Sequence, residues 1–311
     1  MKKTILKRAA ALLLAALAAA GLAACGKQPE PDTLRIGVMY SSDIIPLAVM
    51  KDQKLDEKQG VVLDMQVFSS AKDRDAALQA GELDGVFTDF IGACIYQNAG
   101  LDVKITGMTD GDYLLLAGPD SGVTTLADAA GKSIAISENT LIEYALDYIL
   151  TQEGYGADYL KKEVVPRIPD RLEMLRSGEV DLCLLPEPFA TLALTDGAVE
   201  LGSANTAGLY PAVSAFTQSA IDGKAGAIRK YYAAYDEAVD YVNNTPLSEY
   251  EPVVIAGAGF PEELAGRIEL PVFRKNALPD AAVLSDAVAW ASGKGLCPAS
   301  LTPADLLGDL G

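Results

Sequence analysis

The heptapeptide Leu78-Gln79-Ala80-Gly81-Glu82-Leu83-Asp84 is echoed 97 positions later by Leu175-Arg176-Ser177-Gly178-Glu179-Val180-Asp181. Each copy reads as a helix end, a glycine stop, an acid and an aspartate entering an apolar strand. Such punctuation is common, so one copy would mean little. Two copies, each third in a strand–helix series, predict two similar α/β lobes. Before the first copy, residues 34–40 alternate like a strand, and residues 44–54 read as a helix with Pro46 in its first turn. A strand follows over 61–68, then a helix led by Ser69 and Ser70 and ending at Ala80, then a strand over 84–88. Around the second copy the spacing predicts strands at 133–137, 164–168 and 180–185, with helices at 141–152 and 170–176. Strand and helix alternating at this spacing signify βαβ units and a parallel sheet.

Upstream of these elements, the first eight residues carry Lys2, Lys3, Lys7 and Arg8 and no acid, and residues 9–24 are Ala, Leu and one Gly. A basic start, a short apolar run and a small-residue end predict a secretory signal over residues 1–24. The run is shorter than the roughly 20 residues a spanning helix needs. Residues 26–32 are polar and Pro-rich, a tether within 25–32. Removing the signal leaves 287 residues, enough for two medium lobes.

The net charge of −18, or −22 without the signal, disfavours phosphate backbones, so no nucleic acid is expected as a partner. It also disfavours adsorption to anionic lipid. Histidine is absent, which removes His-based triads, His zinc sites and His general bases. Cys94, Cys183 and Cys297 show no CxxC spacing, and Cys94 and Cys183 lie in apolar runs; buried free thiols are expected, with one disulfide as the alternative. No cofactor and no metal are expected.

Two resemblances carry the functional reading. Leu22-Ala23-Ala24-Cys25 resembles the lipobox of bacterial lipoproteins, which implies acylation of Cys25 and a lipid-anchored, exported chain facing the periplasm or cell exterior. Residues 34–43, 73–90, 126–137 and 171–189 resemble the solute-binding proteins of ABC importers. The nearest group holds the sulfonate, taurine, nitrate and thiamine-precursor receptors. Residues 227–242, 270–273 and 277–279 resemble that family's long helix and closing segment. The resemblance implies a periplasmic-binding-protein type II-like α/β fold of two lobes joined by two crossing segments. Lobe one would hold 33–112 and 214–311, lobe two 119–205, and the crossings 113–118 and 202–213. It also implies a small-molecule ligand, an ABC permease as partner, a monomer, and no catalysis. An enzyme on the same fold, such as a menaquinone-pathway-like lyase, and a structural or adhesive lipoprotein are the alternatives.

Independently, ligands of open α/β sheets bind beyond the carboxyl ends of strands. That rule selects Tyr40, Ser41, Ser42, Asp43, Ser69, Ser70, Thr88, Asp89, Ser137, Glu138, Asn139, Thr140, Arg167 and Glu187 as candidate site residues. The hydroxyls can donate or accept, or simply cap their own helices. Arg74 and Arg171 fall on helices, where solvation or pairing with Asp75, Asp170 or Glu173 is expected. That leaves Arg167 as the one cation reaching the site and favours a neutral or zwitterionic solute, polar or carrying an aromatic ring against Tyr40, Phe90, Tyr144 or Phe189, over nitrate or sulfate. Glu187, between Pro186 and Pro188, is the leading acid for ligand contact.

Overall fold

A computed structural model describes residues 32–310. Among them stand two five-stranded sheets. The first takes β1 (Asp32–Met39), β2 (Val61–Phe68), β3 (Gly85–Asp89), β4 (Val103–Met108) and β10 (Ala212–Thr217), in the order β2-β1-β3-β10-β4. The second takes β5 (Tyr113–Ala117), β6 (Ser133–Ile136), β7 (Lys161–Val164), β8 (Leu182–Pro186) and β9 (Val199–Ser203), in the order β7-β6-β8-β5-β9. Within each sheet β1 and β3, or β6 and β8, run parallel, and an antiparallel strand closes on the third: β10 against β3, β5 against β8. The echo is therefore architectural, since β3 and β8 are themselves 97 residues apart.

The same device fixes both sheets where the echoed aspartates enter them. Asp84 Oδ2 accepts the Arg35 backbone N–H at 2.9 Å, and Asp181 Oδ2 accepts that of Ser133 at 2.9 Å. Each also holds a lysine, Lys224 on Asp84 at 2.9 Å and Lys132 on Asp181 at 3.2 Å.

The chain passes between the sheets through residues 109–112 and 204–211, shorter passages than the expected 113–118 and 202–213. Residues 113–117 form a strand because Leu115, Leu116 and Ala117 are fully buried between β8 and β9. The strand expected at 164–168 lies instead at Lys161–Val164, in register with Ser133–Ile136. It is a charged edge strand, Lys-Lys-Glu-Val, whose polarity hides it, and Pro166 follows its end. Cys94, Cys183 and Cys297 are buried free thiols. The lipidation and signal readings, Cys25 included, fall on residues outside those described.

One apolar cluster packs β1 and β2 against the helices Ile45–Asp52, Gln218–Asn244 and Glu251–Ala258. A second joins the helices Phe90–Asn98, Leu141–Gln152 and Ala281–Gly293 to the second sheet. Here Trp290 donates its indole N–H to Asp147 Oδ2 at 3.0 Å, packs on Tyr144 with ring centroids 5.4 Å apart, and lies under the Lys294 ammonium. Lys294 also pairs with Glu143 at 2.6 Å. The C-terminal stretch assigned by sequence to lobe one thus clasps a helix of the second half. Among the described residues no helix is long and apolar enough to cross a membrane.

Candidate functional site

The loops after β1, β2, β6 and β7, with the end of β3, Tyr113 at the start of β5 and Pro186 at the end of β8, wall a cavity of about 140 Å3. This is the place that the carboxyl-end rule selects. Of the fourteen candidates, nine line it: Tyr40, Ser41, Asp43, Ser69, Ser70, Thr88, Asp89, Ser137 and Thr140. Several also cap helices. Ser70 Oγ accepts from the Asp73 N–H at 3.2 Å, Asp89 Oδ1 from Gly92 N–H at 2.8 Å, and Thr140 Oγ1 from Ile142 N–H at 3.2 Å. Capping and lining are compatible, because a strand-to-helix turn presents its cap residue at the cavity mouth.

Five candidates do not line the cavity. Ser42 is buried beneath it, and Glu138 stands outside it. Asn139 adopts the left-handed region at φ 57° and donates its N–H to Glu143 at 2.8 Å, a conformation asparagine tolerates better than most residues. Arg167 is exposed and paired with Asp170 at 3.3 Å. Glu187 turns back on its own chain, its Oε2 accepting the Thr191 N–H at 3.1 Å as a cap for the helix Phe189–Thr195. Burial pushes its carboxyl above the ordinary range.

Two arginines that sequence reasoning set aside line the cavity instead, Arg74 and Arg171. Both are buried. Arg74 does pair with Asp75, at 2.8 Å, and is otherwise enclosed. It donates to Phe87 O at 2.7 Å, Tyr96 Oη at 3.1 Å and Thr88 Oγ1 at 3.4 Å, and Tyr96 donates in turn to Asp75 at 2.5 Å. Arg171 is neither solvated nor paired with Asp170 or Glu173. Its Nη1 donates to the carbonyls of Val165 at 3.1 Å and Pro166 at 3.4 Å, and its Nε has no partner among the described residues. Burial lowers its pKa to about 10. The reading of Arg167 as the one cation at the site is thereby corrected: burial, not exposure, brings the cations to the wall. Extending the echo four residues upstream finds both, since Asp73-Arg74 and Asp170-Arg171 are again 97 apart.

Asp43, only 5 % exposed, lines the same cavity. It accepts from Ser41 Oγ and, at 2.7 Å, from Thr109 Oγ1. Burial nevertheless raises its pKa, and it does the same to Asp89. Tyr113, Phe87, Ile142 and Ile168 add apolar wall. A cavity with hydroxyls, two acids and two guanidiniums on apolar walls is suited to hold a small polar molecule by hydrogen bonds. Among the described residues no group of three or more acids or thiols could hold a metal ion.

Comparison with known proteins accords with this geometry. A protein of Brachyspira hyodysenteriae, provisionally named an ABC transporter periplasmic binding protein, is 26% identical over 255 residues, 75% of this chain and 71% of that protein. The crystal structure of the periplasmic aliphatic sulphonate binding protein from Escherichia coli superposes with a TM-score of 0.76 at 19% identity, covering 90% of this chain and 92% of that one. The periplasmic nitrate-binding protein from Synechocystis PCC 6803 gives 0.72 at 14% identity, covering 89% and 86%. At these identities the two structures establish the fold, that of periplasmic binding proteins, as the two-lobed resemblance implied. The NMT1-like family model matches residues 27–249, and this chain belongs to the NMT1-like family.

Proposed function

We propose that this chain is the solute-binding component of an ABC importer, which captures a small polar solute between two lobes and hands it to a membrane permease. The observation that carries this reading is the cavity, walled at once by the strand ends of both sheets. No one sheet surrounds a molecule placed there, so full contact needs both halves together. Closure around the solute follows, because a ligand shifts a two-state equilibrium by its differential affinity for the states. A preference of about 3 kcal/mol for the closed form shifts it more than a hundredfold.

The lobes are the two sheets with the helices packed on each, and they move about the passages at 109–112 and 204–211. The relative from Brachyspira and the sulphonate and nitrate receptors of the same fold support a carrier, not a catalyst. The Leu22–Cys25 motif supports export and a lipid anchor on Cys25, with the mature chain acting as a monomer outside the cytoplasm. Small-angle scattering of the purified chain, before and after adding back the solute identified in it by mass spectrometry, tests the reading. Compaction on binding is expected, and an unchanged radius at saturation refutes lobe closure. Cys25→Ala is expected to release the protein from the membrane fraction or to leave its signal uncleaved; full membrane retention of a normally matured Cys25→Ala chain would refute the anchor.

A further inference from the structure

We propose that Arg171 is the anion anchor of the cavity, taking one carboxylate, sulfonate or phosphonate group of the solute while a donor-bearing part of the same molecule faces Asp43 and Asp89. The inference rests on the receptor reading and deepens it, since that reading leaves the charge of the solute open.

The argument comes from the pseudo-symmetry. Arg74 and Arg171 hold matching places on matching helices, Ala71–Gln79 and Ile168–Ser177, and both line the cavity. The partners that satisfy Arg74 are Asp75, Thr88 and Tyr96; the residues 97 positions later are Leu172, Leu185 and Ala193, all apolar and buried. Among the described residues, the second half therefore has the guanidinium without the acid, hydroxyl and phenol that satisfy Arg74. The acids nearest in sequence are engaged elsewhere, Asp170 with Arg167 and Glu173 with Arg176. Arg171 is 1 % exposed, and its two carbonyl bonds fix the fork without supplying a counter-charge. An unpaired buried cation is costly unless something compensates it. Arg171 lines the cavity, where a planar fork suits an oxyanion with two oxygens. In the same cavity Asp43 and Asp89 repel a second anionic group and favour an N–H or O–H donor. A solute with one negative end and one donor end satisfies both walls.

The test follows the arginine Nε–H signals of 15N-labelled, full-length mature protein during titration with acetate, methanesulfonate and methylphosphonate at millimolar concentrations. A saturable shift of the Arg171 signal is expected with at least one anion, with the Arg74 signal, tied to Asp75, moving less. Arg171→Gln is expected to weaken that anion's binding by about tenfold or more, and Arg171→Lys to recover part of it. No shift of the Arg171 signal with any of the three, or equal affinity in Arg171→Gln, overturns the proposal. Because the wild-type signals are read directly, a poorly folded variant does not mask the answer. The receptor reading is judged separately: scattering that shows compaction with a co-purified solute lacking any anionic group keeps that reading and overturns this one.

Discussion

Arg74 and Arg171 hold matching places in the two halves and do different work. In the first half the guanidinium is knitted into Asp75, Tyr96, Thr88 and a carbonyl, so its charge is spent within the fold. In the second half it donates to two carbonyls, and its Nε is buried with no partner among the described residues. By contrast Asp84 and Asp181 still perform one task in both halves, each accepting a strand N–H and a lysine. Positions that hold a sheet together stay paired across the pseudo-repeat, while positions on the cavity wall diverge. Departure from the internal symmetry is therefore a guide to the site that needs no relatives.

That contrast can be broken by mutation. The largest effect is expected for Arg74→Met, which strips a half-buried acid and a buried phenol of their partner and is expected to cost about 2–4 kcal/mol in urea denaturation. Arg171→Met removes a charge with no counter-ion and is expected to change stability by less than about 1 kcal/mol. Similar losses in the two variants would erase the distinction. Next comes Asp75→Asn, which removes the charge shared by Arg74 and Tyr96 and is expected to cost about 1.5–3 kcal/mol by the same measurement.

The echoed aspartates give a pH signature. Burial pushes both carboxyls up, but the bonds from Arg35 and Lys224 to Asp84, and from Ser133 and Lys132 to Asp181, outweigh it and leave both below the ordinary range. A carboxyl whose folded pKa is depressed adds stability that is present above its unfolded value, near 3.9, and lost as pH falls through the folded value. Urea melts at about pH 5 and about pH 3 are expected to show that loss. The Asp84→Asn/Asp181→Asn double variant is expected to lose less between the two; an identical pH dependence would remove these residues as its source. The smallest effect is expected for Glu187→Gln, because the amide oxygen can still accept the Thr191 N–H. Solute affinity by calorimetry is expected to stay unchanged, with stability moving by less than about 1 kcal/mol. A clear fall in affinity would return Glu187 to the site.

The α/β alternation was legible because glycine stops and apolar strands punctuate it, and the helix Leu141–Gln152 and the strand Val61–Phe68 have the expected bounds. The strands β4, β5, β9 and β10 were not legible. They pair antiparallel with strands distant in sequence and have no βαβ rhythm to announce them. At the site, the cap residues at strand ends were readable because their position follows from topology. Arg74 and Arg171 were not, because a charged residue on a helix reads as solvated until the fold shows what covers it. Glu187 misled in the opposite way: its proline neighbours exclude regular structure but do not say which way the carboxylate turns.

The chain contains one tryptophan, Trp290. Its ring sits on the seam where the helix Ala281–Gly293 clasps a helix of the second half, hydrogen-bonded to Asp147 and flanked by Tyr144 and Lys294. Indole emission responds to nearby charge and to water, so a single native fluorophore reports on this seam without any label. Its colour in the presence and absence of solute tells whether the clasp rides with one half as a rigid piece or slips as the halves rearrange.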